Sequence, residues 1–346
     1  MIASAPSVPA DLEQRLLRCF RGVFPTLSDD EIRAADMRRL GRWDSATLLL
    51  LLARIEREFG VDVDCGQLGR ATSFGLILER LQGATPASDR CTWLTVFAPR
   101  PSADVRLLCF PQAGSSAAAY GEWADKLSDR VELCVIEYPG RGRRRAERPF
   151  VRLHALVAAA LRALRPELDR PFAVFGHCMG ALVAFELLRQ LHLEGGPSAV
   201  AFFAAGSAAP SRLPRRAPLY ASPDDQLVAH LRTRGAIPEE WLNDSRVAEL
   251  LLPPLRGDLE VVDTYLYRRR GAVRLRCPVF VLTGAADAEA TVEETEAWDL
   301  ETEQPPLVRR YDGDHRFLQT ATASVLQDVA SDLRAVRSAI YDVISQ

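Results

Sequence analysis

Few folds accommodate the stretch P-F-A-V-F-G-H-C-M-G-A-L-V-A-F-E at residues 171–186. The apolar run 172–175 predicts a buried strand, 176–180 a sharp turn, and 181–191 a helix with an apolar face. Two glycines let the backbone of the turn pass close to neighbouring elements. Such a turn lifts the Cys178 side chain above the sheet and sets it at the N-terminus of the helix. Unpaired N–H groups and a positive partial charge collect there. Both favour a thiolate, and later an oxyanion. A buried cysteine in a glycine-rich turn would carry the same five letters, but the strand–turn–helix setting favours a nucleophile.

At 346 residues the chain exceeds one average domain, so two are expected. A net charge of -3 gives no basis for binding nucleic acid. Lys126 is the only lysine, so nearly all positive charge is arginine. The seven cysteines are odd in number, irregular in spacing and without a CxxC, so neither a disulfide framework nor a zinc site is expected. That usage fits a reducing cytoplasm. The first residues lack a basic region followed by an apolar core, and no apolar run is long enough to span a membrane, so neither a signal peptide nor a membrane partner is expected.

Residues 1–83 read as a small all-α bundle. Leu12, Leu16, Leu17, Phe20 and Val23 recur at helical spacing, a loop follows over 26–30, and a leucine-rich helix opens near Asp44, a good N-cap, and stops at Gly60. A last helix covers 72–81. The W-D-S turn before a leucine-rich helix ending in I-E-x-E-F-G-V resembles an acyl or peptidyl carrier protein over residues 9–83. The resemblance implies a 4'-phosphopantetheine carried covalently on Ser45, attached by a phosphopantetheinyl transferase. A serine at a helix N-terminus suits this, because the following N–H groups welcome a phosphodiester. One departure is Ala46 where the family has leucine, which removes an apolar contact for the arm or the modifying enzyme. Residues 84–92, small, polar and broken by proline, read as a linker.

From 93 to 346, strand-like runs at 93–97, 105–110, 131–137, 172–175, 199–206, 278–283 and 307–311 alternate with helical stretches at 118–127, 153–164, 181–191 and 323–344. The pattern predicts an α/β fold with a doubly wound, mostly parallel sheet. A helical insertion interrupts the alternation, and a lid over about 212–270 is expected. Its Trp241, Leu251, Leu252 and Leu255 could line an acyl channel or form the lid's own core. The small-residue loop after the strand at 105–110 suits half of an oxyanion hole, or an ordinary strand-to-helix turn. The arginines at 141–145 read more readily as a solvated basic loop than as a site for phosphate or an acidic carrier surface.

A nucleophile needs a base and an orienting acid, and in α/β-hydrolases they follow in the order nucleophile, acid, histidine. His315 lies in a loop after a late strand, whereas His154, His192 and His230 fall in helical stretches, and His177 should point away from its neighbour. Asp287 ends a strand among small residues; Asp312 and Asp314 sit too close to His315 in sequence, and Asp263 is the competitor. The motifs F-P-x-A-G, P-G-R-G, G-H-x-M-G-A, L-P-x-L-R-x-D, G-x-x-D and D-G-D-H resemble a type II thioesterase of polyketide and nonribosomal-peptide pathways, from about Leu107 onward. The resemblance implies an α/β-hydrolase fold, a triad of Cys178, Asp287 and His315, and oxyanion donors at the Ala113 and Met179 N–H groups. It also implies acyl or peptidyl carrier domains as partners. Two departures are cysteine for the usual serine and Ser115 for a second glycine.

Serine would convert a thioester into a less reactive oxygen ester, whereas Cys178 exchanges one thioester for another and leaves the acyl group activated. The sequence therefore predicts a cysteine thioesterase or acyltransferase that off-loads or hydrolyses a carrier-bound acyl chain. The alternatives are an editing thioesterase that only hydrolyses aberrant acyl groups, a carrier or docking module without catalysis, and a general cysteine esterase, which leaves the carrier-like bundle unexplained.

Overall fold

The computed structural model describes residues 10–36, 45–59, 73–83, 92–214, 217–234, 242–268 and 273–344. Helices α1 (Ala10–Arg21), α2 (Asp29–Arg33), α3 (Ser45–Phe59) and α4 (Phe74–Gly83) come first. Leu16, Leu17, Phe20, Leu51, Ile55, Phe74 and Ile77 form their shared core. The periodic leucines account for α1 and α3. The expected loop is present at 26–28 but ends early: α2 begins at Asp29, because Ser28 and Glu31 close a reciprocal capping box that starts a helix there. The expected linker lies outside the described residues apart from Thr92.

A seven-stranded sheet follows, built from β1 (Leu94–Thr95), β2 (Val105–Phe110), β3 (Val131–Ile136), β4 (Phe172–His177), β5 (Ala201–Ala205), β6 (Val279–Gly284) and β7 (Leu307–Tyr311). Their order is β1-β3-β2-β4-β5-β6-β7. Only β1 runs antiparallel to its neighbour, pairing Leu94 with Ile136. Side chains alternate between two cores: Leu108, Phe110, Val174 and Phe202 enter one, and Leu107, Cys109, Phe175 and Phe203 the other. Helices α5 (Gly121–Lys126), α6 (Leu153–Leu164) and α7 (Met179–Leu193) lie between the strands in sequence. Helices α6 and α7 cover the first face. Helix α5 and the last helix, α12 (Thr322–Ile344), cover the second. Burial on both faces explains why these strands read as continuous apolar runs.

Between β5 and β6 stand α8 (Asp224–Arg234) and α9 (Ser245–Asp263), within the expected lid. Leu252 and Leu255 of α9 pack with Leu227, Leu231 and Leu242, so these two leucines form the lid's own core. Leu251 is only half-buried, and Trp241 lies outside the described residues. Helices α10 (Val292–Glu296) and α11 (Phe317–Thr320) precede and follow β7 in the chain. The Arg145 guanidinium donates to the Ala53 carbonyl, tying α3 to the loop after β3.

Candidate active site

Four loops meet above the carboxyl ends of the parallel strands. Ala113 follows β2, Cys178 follows β4, Asp287 follows β6 and His315 follows β7. This edge is where open α/β sheets bind ligands.

Cys178 sits at φ 52° and ψ -115°, and is the one non-glycine residue with positive φ among those described. Such a conformation costs on the order of 1–3 kcal/mol and persists only where its surroundings enforce it. Here the Cys178 N–H donates to the Ala205 carbonyl of β5 at 2.9 Å, and its own carbonyl accepts the Ala181 N–H at 3.0 Å. The flanking glycines are required by close approach. A Cβ at Gly176 would stand 2.5 Å from the Ala181 Cα, and one at Gly180 would stand 1.9 Å from the Phe110 carbonyl oxygen. Both obstacles are backbone. Met179 opens α7, so its N–H has no partner within the helix. Cys178 is partly exposed, as a nucleophile must be.

His315 Nδ1 lies 2.9 Å from Asp287 Oδ2. A carboxylate can only accept, so Nδ1 carries the hydrogen. Asp287 Oδ1 accepts the backbone N–H groups of Glu289 at 2.8 Å and Ala290 at 3.2 Å, which fixes the carboxylate. Burial alone would raise the Asp287 carboxyl, but the hydrogen bond from His315 and its charge hold it below the usual carboxylate range. Burial alone would lower His315; the Cys178 sulfur and the Asp287 carboxylate outweigh it and lift the ring to about 10. With Nδ1 committed to Asp287, Nε2 is the nitrogen left for proton exchange with the Cys178 sulfur. Imidazole and carboxylate therefore form one fixed pair.

The remaining acids have other work. Asp263 accepts the backbone N–H groups of Leu219 at 2.8 Å and Tyr220 at 3.4 Å, away from the ring. Asp314 accepts the Arg316 backbone N–H at 2.8 Å and shapes its loop. His154, His192 and His230 lie in α6, α7 and α8. His177 does not simply turn away from the site: its ring stacks on that of His315.

The basic loop after β3 is a correction. Arg141 and Arg144 are buried, not solvated. Arg141 forks onto Asp258 of α9 at 2.6 and 2.7 Å, and Arg144 lies over the Trp93 ring. The partner of Arg141 stands 117 residues further along, so only the arginine of P-G-R-G and the aspartate of L-P-x-L-R-x-D hinted at the pair. Among the described residues no cluster of side chains could hold a metal ion, and no helix is long and apolar enough to cross a membrane. Ser45 is the first residue of α3; Asp44 lies outside the described residues.

Residues 105–333 match the thioesterase domain family. The chain is 34% identical over 235 residues to the gramicidin S biosynthesis protein GrsT of Aneurinibacillus migulanus, covering 68% of this chain and 91% of that protein. Among solved structures, the type II thioesterase BorB from the borrelidin biosynthetic cluster superposes with a TM-score of 0.65 at 34% identity, over 70% of this chain and 98% of BorB. A crystal structure of holo-AB3403, a four-domain nonribosomal peptide synthetase, aligns with 96% of this chain and 27% of its own, at a TM-score of 0.56 and 15% identity. That last likeness is one of fold alone.

Proposed function

Because this chain belongs to the thioesterase domain family, we propose that it releases acyl chains held as thioesters on the phosphopantetheine of carrier domains in polyketide or nonribosomal-peptide biosynthesis. The names of its relatives support the pathway: one serves gramicidin S biosynthesis, another comes from the borrelidin cluster. The observation that carries the chemistry is Cys178 held at a strained turn with His315 paired to Asp287.

The thiolate of Cys178 attacks the thioester carbonyl while His315 keeps the proton. The Ala113 and Met179 N–H groups take the oxyanion. As the carbon–sulfur bond to the carrier breaks, His315 gives its proton to the leaving thiolate, and the acyl group is left on Cys178. Water then attacks this second thioester with His315 as base, freeing the acid and restoring the Cys178 thiolate and the protonated ring. Asp287 holds the ring in one tautomer throughout. Incubation with an acyl-carrier substrate, quenched early and weighed intact, tests this reading. An acyl adduct on Cys178 is expected, and the Cys178→Ala protein should give neither adduct nor free acid above background.

The sulfur nucleophile favours a second outcome from the same intermediate. A thioester to Cys178 remains reactive towards amines and hydroxyls, so the acyl group could pass to an acceptor other than water. The ratio of amide to free acid, measured with a competing amine, separates transfer from hydrolysis.

Residues 1–83 we read as a fused carrier domain, joined by a linker at 84–92 to a thioesterase domain at 93–346, with phosphopantetheine on Ser45. Two observations support it: the N-terminal helices have a core of their own, and Ser45 is the first described residue of α3. Coexpression with a phosphopantetheinyl transferase should add one phosphopantetheine mass to the wild-type protein and none to Ser45→Ala.

A further inference from the structure

The lid and the loop after β2 meet at one carboxylate. Asp258 of α9 accepts the Gly114 N–H on Oδ2 at 2.8 Å. The same oxygen accepts Arg141 Nη1 at 2.6 Å, and Oδ1 accepts Arg141 Nη2 at 2.7 Å. Arg141 Nη1 also donates to the Ser115 carbonyl at 3.1 Å. Both sides of the turn beyond Ala113 are thus held, one by the lid's acid and one by the arginine that the acid orients. The Ser115 N–H in turn donates to the Gln112 carbonyl at 3.1 Å. That carbonyl belongs to the peptide unit whose other end is the Ala113 N–H, and in a trans peptide the two point in opposite directions. A chain of hydrogen bonds therefore runs from the lid to the direction of a single N–H group.

Asp258 and Arg141 are both buried. A buried ion pair is weak evidence for stability, since desolvation cancels much of its attraction; what it supplies is geometry. Leu255, one turn before Asp258, lies against Gly114, where an added Cβ would come within 3.0 Å of its Cδ1. Cys178, His315 and Asp287 make no use of the pair.

Resting on the thioesterase reading above, we propose that Asp258 is a positioning residue which, braced by Arg141, aims the Ala113 N–H at the developing oxyanion only while α9 is seated, so that lid seating becomes a condition for acylation of Cys178. With α9 displaced, Gly114 loses its acceptor, the turn at 112–115 relaxes, and one oxyanion donor swings out of line.

Two reactions of the same sulfur test this. Acylation by an acyl-N-acetylcysteamine thioester passes through an oxyanion; alkylation by iodoacetamide does not. For Asp258→Ala the single-turnover acylation rate should fall roughly 10- to 100-fold, the scale of a misdirected donor, while the alkylation rate stays within about twofold of wild type. Asp258→Asn keeps an oxygen for Gly114 and should recover part of the rate. The double variant Arg141→Leu/Asp258→Leu removes both members of the pair, so neither is left facing the site of the other, and should show the same selective loss, which decides the matter if the alanine variant does not fold. Wild-type acylation rates in the double variant, or equal loss of acylation and alkylation, would overturn the proposal. A wild-type protein that is alkylated at Cys178 but never acylated there would instead overturn the thioesterase reading, and this inference with it.

Discussion

The His177 ring lies face to face with the His315 ring, their centroids 5.5 Å apart and their planes 29° from parallel. Phe317 also meets the His177 ring edge-on, at 6.2 Å. His177 is buried, and its Nε2 has no hydrogen-bond partner among the described residues. Burial first, and the charge of His315 second, lower its pKa to about 3. The stack therefore joins a ring kept neutral to a ring kept protonated. A neutral neighbour leaves the proton on His315 unopposed, whereas a second cation at this distance would drive it off.

The two rings leave opposite marks on stability. In the unfolded chain both titrate near 6.5. Folded His177 stays neutral down to about 3, so the unfolded state binds the extra proton and stability falls as pH drops from about 6.5 towards 3, by up to roughly 1.4 kcal/mol per unit. Folded His315 holds its proton to about 10. Its contribution is complete below about 6.5 and is lost as pH rises through about 10. Denaturant titrations of His177→Phe should show a flatter acid limb than wild type and an unchanged alkaline one. An acid limb as steep as that of wild type would contradict the neutral His177.

Asp287→Asn should act on pH dependence as well as on rate. The amide cannot stabilise the imidazolium, so the His315 pKa falls from about 10 towards its ordinary value. The ring can then no longer hand a proton to the leaving thiolate at alkaline pH. We expect kcat/KM to drop roughly 10²- to 10⁴-fold, with the alkaline limb of the profile moving to lower pH. A profile that keeps its alkaline limb would remove Asp287 from the proposed triad.

Gly206 matters because of what surrounds it. It has φ +54°, and a Cβ there would stand 3.2 Å from His177 Cδ2 and Nε2 and 3.4 Å from His315 Cε1. Gly206→Ala adds a left-handed alanine, costing about 1–2 kcal/mol, and presses on the His177 ring, which is stacked on that of His315. Its kcat should fall roughly 10-fold or more for that displacement of the base, with KM little changed. Parallel kinetics and thermal melts would show whether rate and stability fall together, as this contact requires.

Elements that announce themselves locally were legible in the sequence. The turn at Cys178 could be read because strand, glycines and helix are contiguous, and Asp287 and His315 because each closes a strand-like run. Helix α2 was hidden, since five residues give too little periodicity and only the Ser28–Glu31 capping pair marks it. The buried Arg141 could not be read from its own neighbourhood: an arginine among arginines looks solvated until Asp258 is brought beside it by the lid. The His177 stack was invisible for a similar reason, because it depends on how β4 and the loop after β7 meet in space.

Trp298 separates stability from catalysis. It is fully buried between β6 and β7 in the chain, edge-on to Phe185 at 5.5 Å and Phe202 at 5.7 Å, and its Nε1 donates to the Ser207 carbonyl at 2.9 Å. It anchors the excursion that begins with Asp287. Trp298→Phe keeps most of the ring packing but leaves the Ser207 carbonyl without its donor, at a cost of about 1–3 kcal/mol. Trp298→Ala also opens a cavity against both phenylalanines and should cost roughly 3–5 kcal/mol. Asp287 itself is pinned by the N–H groups of Glu289 and Ala290, close in sequence and well before Trp298. Both variants should therefore melt earlier, alanine more than phenylalanine, while the phenylalanine protein keeps kcat within about threefold of wild type, since its carboxylate is held locally. A large loss of kcat in Trp298→Phe at temperatures where it remains folded would mean that the acid is positioned by the distant indole and not by its own loop.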